Sequence, residues 1–415
     1  MAFSAVTGQN EQQGFLKVLQ QAIAHPQSLR ELISPFVKQD PDGCIPHLIQ
    51  VFDTTEMAAK RAIADVFLGE LRPRAPQALL PYLSQENVDR YYWAAEVLGE
   101  LMLEQALPLL MKGLDGNHKS VVIASVKGVA RFRTEEAFGA LIRFFSTCRD
   151  EVFLAASLRF LVPLKDDLVP RLLPKFSAQD RFRKAWLLKY LAETGALQAL
   201  NLFATMLKQE PNDFGLFCIE GLGNIGTPEA AQILGGQLSN PEWFIRKRLV
   251  VALGRCSCPL VIPFLISALV DESVQVRASA IESLSQVGHF DIPLMVKELE
   301  QSPKRECRIG LIRALGSIKD RAVLQPLLKT LADRTTLFVS LDVLGDLGFA
   351  EAADSLVPFL QDPEWFNRLN AIEALGKLPL TQLKHLVEPC RDDPNDMVRH
   401  AVSRIFSRSE EAEGG

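Results

Sequence analysis

Along most of this chain a pair of positions, apolar then usually small, returns every thirty-one residues or so. The second position of the pair falls at Gly69, Gly99, Ala130, Leu161, Ala192, Gly223, Gly254, Ser285, Gly316, Gly345, Gly376 and Ser407, with successive steps of 29 to 31 residues. The residue before each anchor is Leu68, Leu98, Val129, Phe160, Leu191, Leu222, Leu253, Leu284, Leu315, Leu344, Leu375 or Phe406, so that row is apolar throughout. Around each pair apolar residues recur at helical spacing, as Ile245, Leu249, Ala252 and Leu253 do within EWFIRKRLVVALGR. After a break at Cys256–Pro259 a second apolar run, LVIPFLISALV, follows, so each period predicts two helices. A unit this short cannot bury its own apolar face, and the period predicts a stack in which each unit covers its neighbour.

The polar positions keep the same period. Turns open at Asn240–Pro241, Ser302–Pro303, Asp362–Pro363 and Asp393–Pro394, with Asp271 in the first of those positions without the proline. Proline suits a first helical turn because the N–H it lacks would have no partner there. Eight residues before the anchor stand Arg61, Arg246, Arg277, Arg308, Arg368 and Arg399, with Lys184 in the same row. A turn carboxylate and an arginine one turn into the next helix can hydrogen-bond along the stack and set its register, worth ~0.2–1 kcal/mol per pair if exposed. Gly195, Gly226, Gly288 and Gly348, three residues past their anchors, suit left-handed helix C-caps.

The run DESVQVRASAIESLSQVG from Asp271, with its turn Asp, V-R, A and small-residue close, resembles the HEAT repeat. The short period resembles the variant named after phycobilisome lyases. The resemblance covers about residues 40 to 407 and implies an all-α chain, an α-solenoid wound as a right-handed superhelix of about twelve helical hairpins. Residues 1–40, with FLKVLQQAIA and LRELISPFVK as two amphipathic helices, are expected to form an N-terminal cap over the first apolar face. Residues 41–407 are expected to form the solenoid, and 408–415, ending in EEAEGG, an acidic tail without apolar anchors that is expected to be disordered.

Composition narrows the function classes. Apolar residues make up 48% of the chain and charged ones 23%, and the formal charge of -5 supplies no global field for nucleic-acid phosphates. No stretch approaches the ~18 apolar residues of a spanning helix and no leader pattern opens the chain, so a cytoplasmic protein without membrane insertion is expected. The seven cysteines are odd in number and scattered, and Cys256 with Cys258 lacks the second pair of a four-ligand zinc site, so buried reduced thiols are expected.

No catalytic constellation is visible. The chain has no G-x-S-x-G elbow, P-loop or H-E-x-x-H, and the six histidines are dispersed, with His289 and Asp291 an isolated H-x-D. HEAT-like deoxyhypusine hydroxylases bind iron through His-Glu dyads, and this sequence has none to carry that role over. No metal and no cofactor are expected.

The anchor helices of such a solenoid are expected to line a concave groove, with rows three and six residues before the anchor facing outward. These rows give the candidate binding residues Trp93, Trp186, Lys189, Phe217, Glu220, Arg248, Glu282, Arg313, Asp342, Asn370 and Glu373. Aromatic and arginine anchors in a partly apolar concavity are what protein recognition uses. For Trp93 and Trp186 the competing expectation is core packing. Phenylalanines crowd residues 120 to 220, either to fill wider helix spacing or to receive something apolar. The near-repeat of Asn240-Pro-Glu-Trp-Phe by Asp362-Pro-Glu-Trp-Phe is explained by unit duplication without a shared ligand. The expected function is a non-enzymatic scaffold or adaptor holding another protein or peptide segment in its groove. The alternative, implied by the repeat type, is a phycobilin lyase that holds a linear tetrapyrrole and attaches it to a phycobiliprotein cysteine.

Overall fold

The computed structural model describes the backbone at residues 2–84, 87–380 and 382–413, and the side chains at 13–83, 87–380 and 382–407. The described residues are helical hairpins joined by short turns and contain no strand. They divide into two compact units, Met1–Tyr190 and Leu191–Gly415.

The first unit opens with the helices Ala2–Ala24 and Leu29–Gln39, which pack on each other and on the helix Pro41–Val51. Phe15, Leu19 and Ala22 are buried, as are Leu29, Ile33 and Val37, and the Phe15 and Phe36 rings lie 5.7 Å apart. The anchor helices Met57–Leu68, Val88–Glu100, Lys119–Phe132 and Glu151–Leu161 then pack in succession. Most of the crowded phenylalanines fill space between helices. Phe138, Phe144, Phe145 and Phe176 are buried here, and Phe203 and Phe214 are buried in the second unit.

The second unit repeats one arrangement through the anchor helices Pro211–Ile225, Trp243–Arg255, Val274–Val287, Arg305–Ile318, Leu337–Leu347, Trp365–Lys377 and Asp396–Glu413, each packed on the next. The last of these carries helical backbone into the acidic segment expected to be a disordered tail. The side chains of that segment, and Gly414 and Gly415 altogether, lie outside the described residues.

The row before the anchors forms the apolar seam of each unit. Leu98 and Val129 in the first, and Leu191, Leu222, Leu253, Leu284, Leu315, Leu344 and Leu375 in the second, are buried, while Leu68, Phe160 and Phe406 are half-buried. The small anchor has its own cause. A methyl group on Gly345 would lie 2.7 Å from the Ala374 Cα, and one on Gly223 would lie 3.0 Å from the Ala252 Cα. Each of these anchors thus abuts the position two residues before the next anchor, where the two backbones are too close for a side chain between them.

The turns are clamped by the arginine row. Arg246 donates to Asn240 O and Pro241 O of its own turn, both at 2.8 Å, and reaches Asp271 of the next turn at 2.7 and 2.9 Å. Arg368 does the same with Asp362 O, Pro363 O and Asp393, and Arg308 with Ser302 O and Asp333. These pairs are less exposed than the sequence suggests. The Arg246 and Asp271 side chains retain 8% and 12% of their accessible surface, so the pair is shielded from solvent.

Three of the four expected left-handed caps are present, Gly195, Gly226 and Gly348 at φ of 57°, 67° and 73°. Gly288 is a correction: its backbone is right-handed helical at φ −61°, and a methyl group there would sit 2.7 Å from the Met295 sulfur. The corresponding left-handed position is occupied by Met102, Arg133 and Lys319 in other repeats. Six of the seven cysteines are buried and Cys148 is half-buried, all as free thiols.

Candidate functional site

The helices Pro211–Ile225 and Trp243–Arg255 present the most developed part of the anchor-helix face. Phe217 and Glu220 are one turn apart on the first, and Arg248, Val251 and Arg255 occupy one stripe of the second. The contact of Gly223 with Ala252 brings the two stripes together. Between them lies a surface pocket of about 210 Å³, walled by Leu216, Phe217 and Val251 and edged by Glu220, Arg248 and Arg255. Three residues expected in a groove thus meet at one place.

The pocket offers one apolar wall and groups of both charges. Glu220 and Arg248 are exposed, and among the described residues neither side chain has an ion-pair partner. Arg255 donates to the Asn224 side chain at 3.0 Å. Arg255 and Asn224 belong to a row the sequence reading passed over, one residue past the anchor. That row lies four residues beyond the row containing Glu220 and Val251, so it shares the same helix face, and this spacing is the signal that could have found it.

Elsewhere the same two rows zip neighbouring helices together. Lys377 Nζ bonds Asp342 at 2.8 Å and Asp346 at 2.7 Å, and Arg404 bonds Glu373 at 3.1 Å. Partial burial alone would lower the Lys377 pKa, but the Asp342 and Asp346 carboxylates outweigh it and hold the ammonium above its usual range. In the first unit Lys127 pairs with Glu96, and Arg131 with Glu100. The candidates Asp342 and Glu373 are therefore engaged in holding helices, whereas Glu282 and Arg313 are exposed and Asn370 is half-buried.

Trp93, Trp186 and Lys189 belong to the first unit. Trp93 requires a correction: it is 6% exposed and stacked on Phe52 at 5.8 Å, so it is a core residue with no face to offer a ligand. The adjacent Tyr92 packs edge-on against the same ring at 5.3 Å. Trp186 is half-buried, with Lys189 Nζ over its ring at 4.7 Å, a cation–π contact worth about 0.5–1 kcal/mol. Among the described residues no three His, Cys, Asp or Glu side chains are grouped to hold a metal ion, and no helix is long and apolar enough to cross a membrane.

Comparison with known proteins bears on the repeats. Family models match at residues 338–404 (HEAT repeats), 261–290 (HEAT repeat) and 91–116 (PBS lyase HEAT-like repeat). No curated protein matches the chain. Among solved structures it is similar to Kap121p, with 13% identity and a TM-score of 0.52 over 93% of this chain and 51% of that one. A mutant of Kap121p gives a TM-score of 0.52 at 12% identity, over 94% of this chain and 52% of that one. Kap121p bound to Pho4p gives 0.50 at 13% identity, over 95% and 51%. The chain spans about half the length of these structures, and the likeness is one of fold. The repeat matches fall on hairpins whose anchors, seams and turns are described above, and they identify HEAT repeats within this chain.

Proposed function

We propose that the chain is a non-enzymatic scaffold or adaptor that holds another protein, or a peptide segment of one, against the anchor-helix face of its repeats. The observation that carries this is the pocket at Phe217, where Glu220 and Arg248 stay unpaired on a face whose other charges are largely committed to neighbouring helices. Unpaired charge beside an apolar wall is what a recognition hot spot requires, since a partner can desolvate it and pair with it. A solenoid supplies such surface over several repeats, which suits an extended partner better than turnover of a small molecule.

A photo-reactive phenylalanine analogue at position 217 tests the proposal in cells of the source organism. The expected result is a discrete cross-linked protein that disappears with Arg248→Glu and is not produced from the exposed position Leu260. Equal products from both positions, or products insensitive to Arg248→Glu, would refute it. The tetrapyrrole alternative rests on the repeat type, and a red-shifted, zinc-fluorescent spectrum on mixing with a linear bilin would replace the scaffold proposal with it.

A further inference from the structure

Two places in the second unit expose a tryptophan and a phenylalanine side by side. Trp243 and Phe244 are each 45% exposed, and Trp365 and Phe366 are 41% and 42% exposed. The two pairs have the same geometry, with ring centroids 6.3 and 6.2 Å apart and interplanar angles of 89° and 88°. Both sit on a turn held from beneath by the arginine row, Arg246 on Asn240 O and Pro241 O, Arg368 on Asp362 O and Pro363 O. Each turn is also closed from within, Glu242 N donating to the Asn240 side chain at 2.9 Å and Glu364 N to the Asp362 side chain at 3.0 Å.

The fold does not need these aromatics. Arg277 and Arg308 clamp their own turns through the same carbonyl contacts, yet the positions matching Trp243 and Phe244 hold Val274 and Gln275 in one and Arg305 and Glu306 in the other. The repeat therefore folds with ordinary surface residues there, and exposing four large rings leaves apolar area in water at about 25 cal/mol per Å². Duplication explains why the two turns are alike, but it does not explain why both kept the rings outside.

Charge indicates what covers them. Glu242 and Glu364 immediately precede the rings, and among the described residues neither carboxylate has an ion-pair partner. At the first turn Arg246 is engaged by Asp271 and Glu272 and is not available to Glu242. An electron-rich ring face next to an unpaired carboxylate favours a cation with apolar flanks. Lys247 stands one turn beyond Trp243, but the matching position after Trp365 is Leu369, and both pairs directly follow a carboxylate that an anionic membrane surface would repel.

We propose that the Trp243–Phe244 and Trp365–Phe366 pairs, with Glu242 and Glu364, form a two-point docking edge for a protein segment carrying Arg or Lys among apolar residues. The pairs lie four repeats apart, roughly 32–40 Å at ordinary helix spacing. A partner presenting two such segments engages both and gains by effective concentration. This edge is separate from the pocket at Phe217 and does not rest on that proposal.

The test is a displayed random-peptide library selected on the full chain, and in parallel on a variant with Trp243→Ala, Phe244→Ala, Trp365→Ala and Phe366→Ala. The expected outcome is enrichment of basic peptides on the wild-type chain only. The best of these, made synthetically, should lose at least about tenfold in affinity to the separate variant Glu242→Gln with Glu364→Gln, and be indifferent to Arg248→Glu. Two copies joined by a Gly-Ser linker of about 45 residues, whose average span is about 37 Å, should bind at least about tenfold tighter than one. That gain should vanish when either aromatic pair is removed. No enrichment over the aromatic variant, enrichment of peptides without Arg or Lys, insensitivity to the Glu→Gln changes, or no gain from tandem copies would each overturn the proposal. Aromatic-dependent sedimentation with phosphatidylcholine–phosphatidylglycerol vesicles would overturn it in favour of a lipid surface.

Discussion

Arg246 grips Asp271 through two hydrogen bonds of 2.7 and 2.9 Å while its Nη1 holds the carbonyls of its own turn, so a single guanidinium fastens two successive repeats. The same bond from Arg368 fastens Asp393. Both carboxylates are held below the ordinary value of 3.8, chiefly by these hydrogen bonds.

A carboxylate whose folded pKa is depressed stabilises the fold above its ordinary value and loses that contribution as pH falls through the folded one. Melting temperature should therefore drop as pH falls below about 4 toward the depressed values. Replacing Asp271 and Asp393 together by Asn should lower stability at pH 7 by about 1.5–3 kcal/mol for each charge-assisted contact and flatten the acid slope. Thermal melts of both proteins across that range check this, and an unchanged slope in the double variant would show that the rungs carry no linkage.

The glycine anchors make a contrasting pair. Gly345→Ala places a methyl group 2.7 Å from the Ala374 Cα, where backbone must move, and overpacking of this kind costs about 1–3 kcal/mol. Gly376→Ala meets Ile405 at 3.7 Å, an ordinary contact, and should gain up to about 1 kcal/mol from helix propensity. Denaturant titration of the two variants should give opposite signs. The same sign in both would mean that anchor size is not set by the approach of the next helix.

Thiol reactivity follows burial. Burial pushes the Cys218 and Cys256 thiols up to about 12 and, with help from Asp40, Cys44 to about 11. The half-buried Cys148 should be the one thiol that reacts promptly with a disulfide reagent at pH 8 in the native chain, with all seven reacting after unfolding. Mass spectrometry of the labelled chain reads this directly, and prompt labelling of Cys256 or Cys258 would contradict the packing described.

Much of this was legible in the residues themselves. The step from Leu98 to Val129, and from Leu191 through Leu375, located the seam, and the Arg246 and Arg368 rows with their turn aspartates located the rungs. Glu220, Arg248 and Phe217 were placed on one face by helical spacing alone. Trp93 shared that spacing and proved to be core, because whether a ring at the edge of a face turns inward depends on what the neighbouring helix leaves open, here a seat on Phe52. Asp342 and Glu373 stood out as candidate contacts and instead hold Lys377 and Arg404.

What the sequence determined by itself is the repeat: its length, its two helices, its apolar seam and its clamped turn, all of which follow from short-range periodicity because each unit contacts only its neighbours. What only the tertiary structure decided is the lateral offset between neighbouring helices. That offset sets which small residue meets a backbone, which charges 31 to 35 residues apart can touch, and which are left over beside Phe217. No local pattern encodes it, since it arises from how whole side-chain surfaces interlock between helices.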